Sequence, residues 1–335
     1  MFGKAFKKYL RIDSNNMYPW LQQAWSVFQG RLEANKLAHA ILIHGPQGTG
    51  KAELARHMLA RLACTEPGEY CCGQCRSCSL FKSGAHPDWF QLEPEEGKHQ
   101  IVIEQVRNTI AALTLTSSFS PYKLAMIYPA EAMNKSSANS LLKSLEEPPG
   151  DTIIMLVSHD ASQLPVTIRS RCQAIVVALP EKDDAIAWLA ENSTLDTATA
   201  AEALDVAGGS PLNAIKVAEA GQVEMHRRLL QQLSVLLGRP GMVSRVASEL
   251  SDIEDFALWS WLSNGSADLL RQMLCGALPV WLQKIQADID LRALADLQQL
   301  ADLNRKLHTT PVRQDLLLQD WLIRWSHLAP PAMAT

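Results

Sequence analysis

The sequence predicts an α/β fold built on a parallel sheet, followed by a region made of helices alone. Two observations carry this prediction. Short apolar runs alternate with helical patterns up to about residue 180, and one of these runs leads through a glycine-rich turn into a helix. Beyond residue 181 the short apolar runs disappear, while helical periodicity continues. Strands that alternate with helices indicate a parallel sheet covered on both faces.

The individual elements follow from periodicity and from turn residues. Buried strands are predicted at residues 40–43, 88–92, 123–127, 152–157 and 174–178. Helices are predicted at residues 20–35, 51–62, 103–113, 137–147 and 290–308. The helix at 137–147 is expected to end before Pro148, because the residue before a proline avoids the helical region.

A phosphate-binding loop is predicted directly after the first strand. Gly45, Gly50 and Lys51 stand at the spacing of that motif, with Gly48 between them, in the strand–turn–helix context that it requires. The glycines let backbone N–H groups approach a polyphosphate, the start of the helix adds positive potential, and the lysine reaches the outer phosphates. The sequence therefore predicts a nucleotide-type site at residues 45–51.

The two groups that would hold Mg²⁺ beside such a loop are missing from the pattern. Ala52 stands where the motif has Ser or Thr, and a methyl group cannot coordinate a metal. The strand at 123–127 ends without a carboxylate, and Glu131 follows only after a proline. We expect no ATP hydrolysis, because charge neutralisation and the water-positioning acid are both lost. Two alternatives stay open: the loop binds a nucleotide, or it persists only as a packing turn.

Composition restricts the class of protein. The 335 residues are 47% hydrophobic and 20% charged, and no apolar run is long enough to span a bilayer. Asp and Glu exceed Lys and Arg by 35 to 31, which gives the formal charge of −4. A free-standing nucleic-acid-binding protein usually carries a basic footprint, so any contact with DNA is expected to be local or shared with partner chains.

The N-terminal residues 1–16 are basic and lack the apolar core and cleavage site of a signal peptide. They are interpreted as a disordered tail or as an over-extended start, with Met17 as the true initiator. A basic amphipathic surface element is the alternative. Without an export signal the protein is expected in the cytoplasm, where cysteines stay reduced and clustered ones indicate a metal.

Five of the seven cysteines cluster between residues 64 and 78. Cys72, Cys75 and Cys78 follow one another at intervals of three, and Cys64 at the end of the preceding helix can supply a fourth thiolate. Four thiolates without an open position describe a closed, structural Zn²⁺ site, which would hold an insertion together. Cys71 is the alternative to Cys72 as a ligand.

Two further motifs lie in the later part of the α/β region. Residues 164–172 (LPVTIRSRC) follow residues 158–160 (SHD), and residues 140–149 read SLLKSLEEPP. Together with the phosphate loop and the cysteine insertion, they closely resemble the AAA+ clamp-loader family of bacterial DNA polymerase III. The resemblance extends from about residue 17 to residue 325, and the joint occurrence of the motifs is highly specific.

The resemblance implies three domains after the N-terminal extension. Residues 17–180 correspond to a RecA-like AAA+ domain that carries the zinc module at 64–78. Residues 181–221 correspond to a small helical lid, and residues 222–335 to a helical collar that assembles a five-subunit ring.

The resemblance also implies a role and partners. Family members with a degenerate loop act as a rigid stator beside gamma/tau ATPase subunits. The assembly, which also contains the delta subunit, opens the sliding clamp and loads it onto primer-template DNA. The family's Ser-Arg-Cys motif falls on Ser170, Arg171 and Cys172, and its arginine enters the ATP site of a neighbouring subunit. Arg171 is therefore the predicted arginine finger in trans, with Arg169 as the alternative.

Guanidinium chemistry supports this assignment independently of the resemblance. A planar group with forked donors can neutralise transition-state phosphate charge at a protein interface, which is worth about 10³–10⁵ in rate. The alternative is that Arg171 caps a helix or pairs with an acidic residue of its own domain.

Two more positions agree with a silent ATP site. By the resemblance, the ATPases place an arginine after the Gly-Ser of the lid, whereas Pro211 and Leu212 follow Gly209 and Ser210 here. Ser158 matches the position of a polar sensor. The leading hypothesis is a non-hydrolysing clamp-loader subunit without intrinsic activity, in a holoenzyme whose polymerase activity belongs to another subunit.

The sequence is also compatible with two other functions. The first alternative is an active AAA+ ATPase that uses Lys51 and Glu131, and the second is a stand-alone zinc-dependent DNA-binding protein.

The tryptophans of the helical half are expected to fill a core, with interface anchoring as the alternative. They are Trp259, Trp261, Trp281, Trp321 and Trp325.

Overall fold

The polypeptide folds into two units, seen in a computed structural model that describes residues 17–277, 279, 281–282, 289–307 and 310–329. Of the described residues, the first unit contains 17–185 together with 210–213, and the second contains 186–209 and those from 214 onward. The predictions made for residues 1–16 fall outside the described ranges. The boundaries of the three predicted domains stay a prediction.

A five-stranded sheet forms the centre of the first unit, and every strand pairing in it is parallel. Its strands are β1 (Ala40–His44), β2 (Trp89–Leu92), β3 (Lys123–Ile127), β4 (Thr152–Ser158) and β5 (Gln173–Val176). They lie side by side in the order β2-β3-β4-β1-β5. The predicted parallel α/β sheet is confirmed, although its last strand begins one residue and ends two residues earlier than predicted.

Alternate residues of the strands supply two separate apolar layers. On β1, Ile41 and Ile43 pack on one side of the sheet, whereas Ala40 and Leu42 pack on the other. β3 and β4 divide their side chains in the same way. A strand that is buried on both faces needs apolar residues at successive positions, which explains the continuous apolar runs of the sequence.

Six helices accompany the sheet in the described part of the first unit. They are α1 (Gln22–Glu33), α2 (Lys51–Ala63), α3 (Arg76–Ser83), α4 (Ile103–Leu113), α5 (Lys135–Glu146) and α6 (Val166–Arg169). The Asn134 side chain accepts a hydrogen bond from Ser137 N at 2.9 Å and so caps the start of α5. Helix α3 has no counterpart among the sequence predictions, because the cysteine spacing drew the interpretation there toward metal binding.

Eight helices follow in the described remainder of the chain. They are α7 (Lys182–Asn192), α8 (Thr197–Val206), α9 (Pro211–Glu219), α10 (Gln222–Leu236), α11 (Val243–Glu249), α12 (Asp255–Leu274), α13 (Leu291–Leu307) and α14 (Gln314–Ser326). The predicted helix at 290–308 corresponds to α13, and residue 308 lies outside the described ranges. Among the described residues, no helix is both long and apolar enough to cross a bilayer.

Tryptophans fill the core of the second unit. Trp259, Trp321 and Trp325 are buried almost completely, Trp261 is buried, and Trp281 is half-buried against the same apolar cluster. Three indole N–H groups find acceptors, as buried tryptophans usually do. Trp259 donates to Gln314 Oε1, Trp321 to Leu297 O and Trp325 to Leu233 O, at 3.1, 3.0 and 2.9 Å respectively. The predicted core role of these residues is confirmed.

Candidate functional site

The phosphate loop occupies residues 45–50 between β1 and α2, as its spacing predicts. Gly50 has φ +81° and directly precedes α2. A Cβ atom at this glycine would lie 2.6 Å from the Tyr18 ring, so only glycine fits here. Trp20 stacks on Tyr18 with 5.1 Å between ring centroids, and its indole N–H donates to Thr49 O at 2.8 Å. The aromatic pair therefore holds the end of the loop against the start of the chain's first helix.

Lys51 is turned inward, onto the loop that carries it. Its side chain donates to the Pro46 carbonyl and lies 3.5 Å from Thr49 Oγ1, and the residue is only 3% exposed. Burial lowers the pKa of Lys51 to about 8, although the charges of Glu131 and Glu53 act in the opposite direction. The ammonium group thus satisfies a carbonyl of its own loop.

Residues 210–213 lie directly on the phosphate loop. Ser210 Oγ donates to Gln47 O at 2.8 Å, Asn213 Nδ2 donates to the same oxygen at 3.3 Å, and Leu212 N donates to Gly48 O at 3.2 Å. A Cβ atom at Gly48 would collide with the Ser210 hydroxyl and with the Asn213 side chain. The middle of the loop is therefore packed against protein.

The groups around the missing magnesium positions are now located. Ala52 is buried in the apolar layer and offers no oxygen. Glu131 lies in a short 3₁₀ helix after β3, close enough to Lys51 for the two charges to interact. Its Oε1 accepts a hydrogen bond from His159 N at 2.9 Å, and its buried Oε2 has no hydrogen-bond partner among the described residues. Ser158 is buried, and its hydroxyl accepts a hydrogen bond from Asp160 N at 3.2 Å.

Arg171 lies two residues beyond the end of α6 and is held by its own chain. Its Nε donates to Glu146 Oε1 at 2.6 Å, Nη2 contacts the same oxygen, and Nη1 donates to Thr167 O at 2.8 Å. The side chain is nevertheless 34% exposed. The predicted alternative for this arginine, an ion pair with an acidic residue of its own unit, is therefore present.

The neighbours of Arg171 differ in exposure. Cys172 is half-buried against the apolar layer that contains Ala40 and Leu42, and burial raises the pKa of its thiol to about 11. It therefore behaves as a small apolar anchor that fixes the turn, and it is a poor nucleophile. Arg169, the alternative finger, is exposed at the end of α6.

The four predicted zinc ligands converge. The sulfur atoms of Cys64, Cys72, Cys75 and Cys78 all lie within 4.8 Å of one another, and the sulfurs of Cys72 and Cys78 are 3.9 Å apart. A tetrahedral site with Zn–S bonds of about 2.3 Å requires sulfurs about 3.8 Å apart. Cys71 is half-buried beside this group and is not one of the four.

Backbone N–H groups point at these sulfurs. Cys72 N lies 3.4 Å from Cys64 Sγ, Cys75 N lies 3.3 Å from Cys72 Sγ, and Cys78 N lies 3.4 Å from Cys75 Sγ. Burial raises the pKa of Cys64 and also acts upward on Cys75, where donated backbone N–H groups outweigh it and bring the pKa to about 6. Donors aimed at sulfur favour thiolates, which are the form that binds a metal. The residues fit a structural Zn²⁺.

The cysteine module is joined to the sheet by a buried polar chain. Ser77 Oγ donates to Ala63 O at 2.6 Å, so it accepts from His86 Nε2, 2.8 Å away. The other ring nitrogen of His86 accepts from Asp88 N at 3.1 Å, and burial lowers the pKa of the imidazole. His86 is therefore neutral with both ring nitrogens engaged, and it is not available to a metal.

Asp88 anchors the next loop. Its completely buried carboxylate pairs with Lys123 Nζ at 2.8 Å and accepts the N–H groups of Ser118, Phe119 and Ser120. Burial acts to raise the pKa of Asp88, but the lysine and the three N–H groups outweigh it and lower the pKa to about 2. The sequence does not predict this network, because a single Asp next to a short strand carries no sequence signal.

The parallel sheet, the phosphate loop between β1 and α2 and the four-cysteine cluster after α2 are the features predicted for an α/β domain of the AAA+ type. The family model described as DNA polymerase III, delta subunit, matches residues 20–181. A subunit delta' of DNA polymerase III from Pseudomonas aeruginosa is 36% identical over 312 residues, which cover 92% of this chain and 90% of that protein. The corresponding subunit from Escherichia coli is 28% identical over 94% of this chain and 97% of its own length. The chain belongs to the DNA polymerase III subunit delta' family.

Proposed function

We propose that this chain is a non-hydrolysing subunit of the DNA polymerase III clamp loader, the assembly that loads the sliding clamp onto primed DNA. Its partners would be gamma/tau ATPase subunits and the delta subunit, with clamp and primer-template DNA reached through the complex. The relatives support the assembly, since they are named as subunits of DNA polymerase III. The finer role, supply of Arg171 in trans to a neighbouring ATP site, is supported by the resemblance of Ser170, Arg171 and Cys172 to the family's motif and by the exposure of the Arg171 side chain.

The observation that carries the proposal is the contrast between the two cations. Lys51, which would serve the chain's own phosphate loop, is buried against that loop, and residues 210–213 pack over it. Arg171 keeps a third of its side chain exposed at a turn. A guanidinium that enters a neighbour's ATP site would neutralise charge that develops on the transferred phosphoryl group.

The proposal includes one structural Zn²⁺ held by Cys64, Cys72, Cys75 and Cys78. A closed four-thiolate site supplies folding energy and offers no position for substrate. Protein purified without added metal should contain about one zinc per chain. Cys75→Ser should lose the metal, whereas the matched variant Cys71→Ser should keep it. A metal-free protein of full stability would refute the site.

The function is tested in two steps. The isolated chain should show no magnesium-dependent ATP turnover. In a reconstituted clamp loader where only the adjoining ATPase subunit keeps its phosphate-loop lysine, Arg171→Ala should lower turnover by at least about 10²-fold, since arginine fingers are worth about 10³–10⁵. Arg169→Ala is the matched control and should leave turnover unchanged. Unchanged turnover in Arg171→Ala would remove the finger assignment.

A second candidate, an active ATPase that uses Lys51 and Glu131, has one observation in its favour. Glu131 lies near Lys51 and keeps a buried, unpartnered carboxylate oxygen among the described residues. Ala52 argues against this candidate, because the position that normally supplies a Ser or Thr hydroxyl to Mg²⁺ has no side-chain oxygen. Turnover by the isolated chain that disappears in both Lys51→Ala and Glu131→Gln would establish this candidate and end the first.

A further inference from the structure

We infer that Glu146 is a positioning residue for Arg171: it holds one edge of the guanidinium so that the remaining donors are presented outward to a phosphate. The inference rests on the proposed function, since it concerns how the finger is held before the neighbour arrives. Two observations carry it, namely which N–H groups of Arg171 are engaged and how the two residues are anchored in the fold.

The first observation concerns donors. A guanidinium has five N–H groups in a fixed plane. Nε and Nη2 of Arg171 each direct one at Glu146 Oε1, and Nη1 directs one at Thr167 O, 2.8 Å away. Among the described residues, one N–H group on each terminal nitrogen is left without an acceptor. Guanidinium N–H groups are strong donors to phosphate oxygens. The contacts with Glu146 and Thr167 thus orient the group without using all of its donors.

The second observation concerns the anchoring of the two residues. Glu146 is the last residue of α5, directly after the buried Leu145, and Pro148 follows the end of the helix. Helix α6 is fixed through the completely buried Ile168, which belongs to the same apolar cluster as Leu145. Both ends of the ion pair therefore extend from packed elements, and the packing sets the distance between them.

The position of Glu146 carries an electrostatic cost that Arg171 offsets. The C-terminal end of a helix has a partial negative charge, so a carboxylate there is placed unfavourably. The cation of Arg171 compensates that charge. A free arginine side chain would also lose rotamer entropy on entering an ATP site, and a side chain already held loses less. Glu146 therefore prepares Arg171 for the complex more than it stabilises the isolated chain.

Glu146→Ala tests the inference in the reconstituted clamp loader described above. We expect kcat to fall about ten-fold with KM for ATP unchanged, within the hundred-fold that displacement of a catalytic group by ~1 Å can cost. Glu146→Gln keeps an oxygen acceptor for the two donors and should lose less than the alanine variant. Glu147→Gln is the matched control, since it removes an exposed carboxylate one residue further on and should leave kcat unchanged.

The double variant separates positioning from other effects. If Glu146 acts through Arg171, then Glu146→Ala adds no further loss in an Arg171→Ala background. An equal additional loss there, an unchanged kcat, or a raised kcat in Glu146→Ala would overturn the inference while Arg171→Ala still upheld the finger. An Arg171→Ala complex with normal turnover would overturn the proposed function, and the inference with it.

Discussion

Lys51 and Arg171 are two cationic residues of one α/β unit, and their side chains lie in different environments: one is buried and the other is partly exposed. Lys51 begins the helix after the phosphate loop, is 3% exposed, and donates to the loop's own Pro46 carbonyl. Arg171 follows a one-turn helix, keeps a third of its side chain exposed, and is held by Glu146 and Thr167 O. The ammonium group of Lys51 is bonded inside the fold, whereas the guanidinium of Arg171 is held in one orientation and stays partly exposed.

The difference shows that a phosphate-loop motif can direct its lysine onto a carbonyl group of its own loop. Gly45, Gly48, Gly50 and Lys51 keep the spacing and the turn of the motif. The carbonyl groups of Pro46, Gln47 and Gly48 are nevertheless bonded to Lys51 and to residues 210–213, and a buried ammonium group is costly unless it is paired. The loop therefore uses the donors of Lys51 and of residues 210–213 for its own carbonyl groups.

The largest effect that sharpens this comparison is expected from Lys51→Met. The folded-state pKa of about 8 lies below the ordinary lysine value of 10.5, so burying the charge costs on the order of 3 kcal/mol at pH 7. Methionine removes that cost but leaves the Pro46 carbonyl without its donor, which costs about 1 kcal/mol. We expect the variant to raise the free energy of unfolding by about 2 kcal/mol in urea titrations at pH 7.

The pH dependence gives this prediction its sign. Between pH 8 and 10.5 the unfolded chain still binds the Lys51 proton that the folded chain has released, so the stability contributed at this position rises with pH. The advantage of Lys51→Met should therefore shrink as pH rises through this window. Turnover of the reconstituted complex should not change. A variant that loses turnover and gains no stability would show that Lys51 serves a ligand.

A smaller effect is expected from Gly48→Ala compared with Gly150→Ala. Both glycines have positive φ, +75° and +58°, so the backbone strain is similar. A Cβ at Gly48 collides with the side chains of Ser210 and Asn213, whereas a Cβ at Gly150 meets nothing within 4 Å. We expect Gly48→Ala to cost about 1.5 kcal/mol more in the free energy of unfolding, as overpacking does. Equal costs would show that residues 210–213 leave the loop in solution.

The parts of the molecule that the sequence predicts well are local. The phosphate-loop motif, from Gly45 to Lys51, spans seven residues and the cysteine cluster fifteen, so spacing alone specifies which groups meet. The strands of the sheet are equally legible, because burial on both faces requires continuous apolar runs. Glu131 is an intermediate case. Its position after a proline is weak sequence evidence for a place beside Lys51, but the two charges lie close enough to interact.

The parts that the sequence does not predict depend on tertiary packing. Ser210 meets Gln47 across 163 positions, and Arg171 meets Glu146 across 25. Ser, Asn and Glu at these positions are compatible with many partners, and only the arrangement of packed helices and strands selects one. The sequence shows that Pro211, and not an arginine, follows Ser210. It does not show that Ser210 and Asn213 would bond to the phosphate loop.

The smallest effect, and the one that tests whether Arg171 is held for a partner, is expected from Arg171→Met in the isolated chain. Its ion pair joins side chains that are 34% and 50% exposed, and exposed ion pairs contribute about 0–1 kcal/mol. We expect a loss of about 0.5 kcal/mol in the free energy of unfolding at low salt, and less in 1 M salt, where screening acts within ~3 Å. Urea titrations at both salt concentrations measure it. A loss above about 2 kcal/mol at either salt concentration would mean that Arg171 supports the fold, as Lys51 does not, and the comparison between the two cations would then reverse.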